Sequence, residues 1–411
     1  MEMKRFYFFI LLLLTAVIIT ARLLTPPDAP TTGDTAIPAD TSAVLYAVHD
    51  SYDSLFIGTP RSETYFYDAD GNIITCICAD KLYGNIITPY PDGLCFFQRD
   101  HAVLADTAGS TTIPYPGGSN ITGVDTSGYI DEFGLLYAIL HDTRSSADTP
   151  YTTILRLISA DGAYDVAIPY YLDTVCYDAE TRRFIGIING YFSDIPSGSD
   201  LAYVTVDFDT AAQCFVLSPG LHAIDDPYLT GTDDGATGIG YIAGDGLLHA
   251  AVTFPNDPND PTGIGSLLLH TYDIAADQFV SRSTLLADYR LGVYGGIFIG
   301  RPTITANGRL YLFTANDKAV IISDAQDITT IDLPHELLYA EGMSIGSSLG
   351  TLTANINVGT DGSIYILCPY VADGSLQIYR VQTDAGYKLI WQGTAPRLSR
   401  HMQISDFILL P

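Results

Sequence analysis

Apolar residues along this chain come in short runs separated by turns rich in Asp, Gly and Asn, and only the first run, near the N-terminus, is long. Short runs bounded by such turn residues predict β-strands. A turn followed by an apolar strand recurs as SYDSLFIG (51–58), PDGLCFF (91–97), EFGLLYAIL (132–140), TRRFIGII (181–188), GDGLLHAAV (244–252), NGRLYLF (307–313) and DGSIYIL (361–367). A further short strand precedes each, for example Val44–Val48, Pro302–Thr305 and Ile356–Val358. Each is followed by a hairpin with an apolar first arm and an Asp-rich turn, such as TYFYDADGNIITCI (64–77) and LAYVTVDFDTAAQCFVLS (201–218). The pattern predicts four antiparallel strands per unit and seven units across residues 43–396.

Seven such units resemble the bacterial extracytoplasmic β-propellers. The expected fold is all-β: a seven-bladed β-propeller of four-stranded antiparallel blades, in which radial repetition protects sheet edges, preceded by an N-terminal hydrophobic helix. It is a resemblance of pattern and not of signature. No Trp-Asp dipeptide closes a strand, and Trp391 is the only tryptophan, whereas quinone-holding propellers dock repeated tryptophans. Ser159–Gly162 (SADG) approaches the sialidase Asp box but has the wrong spacing. The tail 397–411 contains HMQISDFILL, which is expected to add a strand to the first or last blade and tie the termini together.

The long run extends from Phe6 to Ala21 behind Lys4 and Arg5, and reaches Leu24 if Arg22 snorkels outward. Two readings stay open: an uncleaved anchor, favoured because no small-residue cleavage site follows closely, and a cleaved signal peptide. Either exports the remainder, which is expected to be membrane-anchored through this helix or secreted. No Cys precedes Cys76, so a lipoprotein anchor is excluded. Residues 25–42, with four Pro, read as an extended linker, and 43–411 as the propeller.

Composition adds a constraint on partners. The chain carries 47 acidic and 19 basic residues in 411, a net charge of −28, yet only 16% is charged and 47% is hydrophobic. That hydrophobicity excludes intrinsic disorder, and that charge argues against nucleic acid. Asp dominates Glu by 41 to 6, and since Asp favours turns over helices, helices should be scarce.

The six Cys form no CxxC pair. Buried free thiols are expected, with a bridge from Cys76 or Cys78 to Cys95 as the alternative. Asp68-Ala-Asp70-Gly-Asn72 imitates the opening of a calcium loop, but position 79 is Ala where such a loop needs Glu. It reads as a hairpin turn.

Function is expected where the long connections emerge together: 141–151, 189–200, 221–237, 254–265, 286–296 and 335–350. These join second to third strands, or one unit to the next, and so share one face. Candidate ligand-binding residues there are Tyr191, Asp225, Asp226, Tyr228, Asp233, Asp234, Arg290, Tyr294, His335 and Glu341. No cofactor is required; calcium at NDPNDP, through Asp257 and Asp260, is the metal candidate. The expected function is a binding module for a carbohydrate or protein, with aromatic platforms and carboxylates. The alternative is a carbohydrate-active hydrolase or lyase, which needs two facing carboxylates, one with a raised pKa.

Overall fold

The computed structural model describes residues 46–409 except 53–60, 81–82, 85–86, 107–108, 120, 122, 142–151, 190–194, 196–200, 225–236, 243–244, 256–263, 291–302, 307, 315–316, 325–326, 339–354, 360, 371–374, 383–385 and 395–401. Strands dominate it, grouped into antiparallel sheets that follow one another along the chain. The 87–114 sheet orders Ile87–Tyr90, Gly93–Phe97, His101–Ala105 and Ser110–Pro114 as a simple meander. The 126–168, 237–290, 303–332 and 355–394 sheets repeat that order with four strands each. The 172–223 sheet adds a fifth strand, His222–Ala223, which pairs with the start of Leu201–Asp209. A short parallel pair joins Tyr83–Gly84 to Gly123–Val124.

The remaining sheet closes the ring. Met402–Leu409 pairs antiparallel with Tyr46–Tyr52, which pairs in turn with Arg61–Tyr67 and then Ile73–Asp80. The C-terminal tail thus supplies the first strand of the first sheet. Tyr46–Tyr52 takes second place there, so the first unit is displaced by one strand from the expected register.

The expectation of seven like four-stranded blades is corrected accordingly. Four-stranded blades number six among the described residues, and the 172–223 sheet is five-stranded. Its extra strand forms because the chain after Cys214–Leu217 returns to the ladder at Ala202 and Tyr203 before crossing to the next sheet.

The expected N-terminal helix, with the segment 1–24 and the linker 25–42, lies outside the described residues. No helix among the described residues is long and apolar enough to cross a membrane. The membrane-anchored localisation and the membrane as a partner through such a helix are withdrawn on that finding.

Middle strands are apolar on both faces because a neighbouring sheet covers each face. In Arg183–Asn189, Phe184, Ile185, Ile187 and Ile188 are all fully buried, whereas the outer strand Ser110–Pro114 buries only Ile113. Hydrophobic clusters bridge each sheet to the next. Leu136 and Ile158 join Leu94 and Phe96; Phe184 joins Leu155 and Leu157; Leu248 joins Ile185 and Ile187. Leu310 and Leu312 join Leu267, Ile364 joins Phe313, and Phe407 joins Leu376 and Trp391. Phe66 against Phe96, with ring centroids 6.1 Å apart, completes the circuit.

Trp391 secures the seam between the last sheet and the closing one. Its indole N–H donates to the Asp68 carbonyl (3.1 Å), and its ring meets Tyr67 edge-on at 5.2 Å. The Tyr67 hydroxyl donates to the Thr394 carbonyl (3.3 Å), and Asn357 donates to the carbonyl of Phe407. Gly71, at φ +83°, sits in the turn that meets this strand; a Cβ there would lie 2.1 Å from the Gln392 carbonyl oxygen. Only glycine allows that approach.

Candidate binding surface

Antiparallel order sends connections of two kinds to opposite strand ends. First-to-second and third-to-fourth connections are tight, and aspartate organises them. Asp209 accepts from the backbone N–H of Ala211 (2.8 Å) and Ala212 (3.1 Å). Asp273 accepts from Ala276 (2.9 Å), Asp324 from Asp327 (2.9 Å) and Asp361 from Ser363 (2.9 Å). Asp106 accepts from Gly109 (2.8 Å) and Asp245 from Leu247 (3.0 Å). A short carboxylate folded back onto backbone donors two or three residues on is the Asx-turn chemistry that favours Asp here.

The Asp68 loop belongs to this set. Asp68 Oδ1 accepts from the backbone N–H of Asp70 (3.0 Å) and Asn72 (2.8 Å), and the Asn72 side-chain amide donates to both its oxygens. That amide, with the backbone donors, holds the Asp68 carboxyl below the usual carboxylate range. Its oxygens are occupied by the turn. Among the described residues, no group of three or more His, Cys, Asp or Glu is placed to hold a metal ion.

Second-to-third connections, and those from sheet to sheet, leave from the other strand ends. Residues 142–152, 190–200 and 256–263 are of the first kind; 224–236, 291–302 and 339–354 are of the second. Most of the sequence-derived candidates fall there. Tyr191, Asp225, Asp226, Tyr228, Asp233, Asp234, Tyr294 and Glu341, with Asp257 and Asp260, lie outside the described residues.

Two candidates are placed. Arg290 ends the strand Gln278–Arg290 opposite Ile264, so the expected loop 286–296 begins as ladder. His335 opens the single-turn helix His335–Leu338, anchored by buried Leu337 and Leu338. The exposed His335 ring contacts the Asp317 carboxylate through Nδ1 at 2.7 Å. Asp317 was not among the sequence-derived candidates; eighteen positions separate the two residues, and no motif links them.

A second grouping was also illegible. Tyr203 donates its hydroxyl to Asp277 Oδ1 (2.5 Å), the His222 ring stacks on Tyr203 at 4.7 Å, and His222 Nδ1 lies 3.2 Å from the same carboxylate. The Tyr203 hydroxyl, then His222, hold the Asp277 carboxyl below its ordinary value. Burial first, then Asp277, push the Tyr203 phenol up. The extra strand of the 172–223 sheet brings His222 to Tyr203, and the Gln278 turn of the next sheet supplies Asp277.

Buried polar and aromatic groups stiffen this part of the ring. Arg156, 1% exposed, donates to both oxygens of Asp165 (2.7 and 2.8 Å) and to Ser119, and stacks over Tyr115 at 4.0 Å. Asp178 is buried and accepts from the Glu180 N–H (3.0 Å) and the Thr181 hydroxyl. Phe133 stacks on Phe208 at 4.2 Å, and Phe215 meets both edge-on. The propeller surface therefore bears buried acidic residues, salt bridges and an aromatic cluster.

No family model matches the chain, and no curated protein matches it. Solved structures align with much of its length at low identity. The periplasmic gluconolactonase PpgL of Pseudomonas aeruginosa is 13% identical, over 89% of this chain and 100% of its own, with a TM-score of 0.49. Puromycin hydrolase is 12% identical over 90% of this chain and 55% of its own, TM-score 0.47, so the chain spans about half its length. Apo AztD of Citrobacter koseri is 10% identical over 89% and 98%, TM-score 0.38. None of these likenesses bears on what this chain binds.

Proposed function

We propose that the protein is a binding module that engages a carbohydrate or protein ligand at the strand ends from which its long connections leave. The observation that carries this reading is the division of aspartates. Those in tight turns spend their oxygens on their own backbone, while Asp225, Asp226, Asp233 and Asp234 lie on a connection too long to be a hairpin turn. Tyr191, Tyr228 and Tyr294 would supply stacking platforms, Arg290, His335 and Glu341 directional contacts. His335 already holds a carboxylate partner at that end. Calcium, held in part by Asp257 and Asp260, would stiffen the 256–263 connection.

A glycan array and a proteome pull-down with the full chain test the proposal, each repeated with Asp225, Asp226, Asp233 and Asp234 changed to Asn. The expected result is a specific ligand lost in the variant. Binding retained by the variant would place the site elsewhere. Calorimetric titration with calcium tests the metal, and heat lost in Asp257→Asn with Asp260→Asn is the expected outcome.

A further inference from the structure

The seam between the last sheet and the closing one exposes two pairs of large apolar side chains, each at a β-bulge. In Ile73–Asp80, Ile73 lies opposite Tyr67 and Thr75 opposite Phe66, which leaves Ile74 as the extra residue. In Tyr387–Thr394, Leu389 lies opposite Tyr379 and Trp391 opposite Ile378, which leaves Ile390 extra. A bulge bends its strand and re-aims the side chains it carries. Ile73 and Ile74 are 41% and 39% exposed, Leu389 and Ile390 43% and 38%.

The two pairs meet at one corner. The turn that leads into Ile73 packs on Tyr387–Thr394, since Asp68 accepts from Trp391 and Gly71 approaches Gln392. Ile73 follows that contact closely on one strand, and Ile390 precedes it closely on the other. Among the described residues, both strands are the outer edges of their sheets. Proteins blunt such edges with charge or proline, or cover them with a loop. Charge is sparse at this corner: Lys388 is the one charged residue of Tyr387–Thr394, and Ile73–Asp80 has none before Asp80.

The chain enters the ring at the same corner. Tyr46 lies opposite Tyr67, and Tyr67 opposite Ile73, so Tyr46 and Ile73 are two strands apart. That separation is about 10 Å. The residues just before Tyr46, AIPADTSAVL (36–45), carry three large apolar side chains, Ile37, Val44 and Leu45, and a single charge, Asp40. Fully extended, the stretch from Ile37 to Tyr46 spans up to about 30 Å, several times the distance to Ile73.

We propose that the segment 36–45 lies across this corner, with Ile37 on the exposed apolar pairs and Asp40 beside Lys388. Apolar surface would meet apolar surface, and the one carboxylate of the segment would meet the one cation of the Tyr387–Thr394 strand. Because the segment is tethered at Tyr46, it meets the patch at an effective concentration of about 1 mM or more. A second copy of the chain lacks that advantage and brings its own net charge of −28 against an equal one. The patch lies on outer strands and not on the long connections, so this proposal stands or falls separately from the ligand proposed above.

Hydroxyl-radical footprinting of the full chain tests it, because the label reads the solvent contact of each side chain. Phe279 and Val280, at 37% and 48% exposure on the outer strand of another sheet, are the uncovered reference and the folding control. Relative to the unfolded chain, Ile73, Ile74, Leu389 and Ile390 should label several-fold less than that reference. In Ile37→Asp they should rise to its level, with Phe279 and Val280 unchanged. Asp40→Lys should raise them as well, and adding Lys388→Asp to it should restore protection. Labelling of the four at the reference level in the unaltered chain, protection that survives Ile37→Asp, or no recovery in the charge swap would overturn the proposal. Protection that grows with protein concentration would assign the patch to a second copy and would also overturn it.

Discussion

Asp361 and Asp277 show why acid matters at the scale of single residues. Backbone donation from Ser363 lowers the Asp361 carboxyl, and the Tyr203 hydroxyl lowers that of Asp277; Asp68 and Asp100 are lowered by Asn72 and His101. A carboxyl held lower in the folded state stabilises only while ionised. Its contribution is complete above the unfolded value of about 3.9 and is lost as pH falls through the folded value. Urea midpoints should therefore change little from pH 7 to about 5 and fall steeply below about pH 4, the fall being shallower in Asp361→Ala. Thiols give a second check. Cys95, Cys176, Cys214 and Cys368 are free, which removes the alternative bridge to Cys95. Burial pushes the Cys95 thiol up and that of Cys368 to about 12. Neither should react with an aromatic disulfide reagent at pH 8 until the protein unfolds, when both should react within minutes.

Pairs of elements carry the ring closure, and the strands themselves were legible where apolar runs met Asp-Gly turns. The hairpins at 64–77 and 201–218 form as the pattern predicts, because period and turn chemistry agree locally. The pairing of Tyr46 with Leu409 joins the two ends of the described residues, and local pattern holds no register for it. For the same reason, the contacts His335–Asp317 and His222–Asp277 left no trace in sequence. Trp391 was noted only as a lone tryptophan, yet it joins the last sheet to the first. Trp391→Ala should destabilise the fold by about 3–5 kcal/mol in denaturant titration. Gly71→Ala should also destabilise it, through its positive φ and the Gln392 carbonyl. Arg156→Ala strands the Asp165 carboxylate, which retains some solvent contact, and should cost about 3 kcal/mol.

At the scale of the molecule, the described residues form six four-stranded blades and one five-stranded sheet that stack through successive hydrophobic clusters, and the C-terminal strand fastens the first sheet to the last. Such a ring fixes two sets of strand ends and gives its many aspartates two kinds of work. Those in tight turns hold the architecture; those on the long connections are, on the reading proposed above, left for a ligand. Comparing thermal unfolding midpoints of two fourfold alanine variants tests this division most directly. Replacing Asp209, Asp273, Asp324 and Asp361 should lower the midpoint by on the order of 5 °C, whereas replacing Asp225, Asp226, Asp233 and Asp234 should leave it unchanged within about 1 °C. Equal losses in the two variants would contradict the division and, with it, the placement of the binding surface.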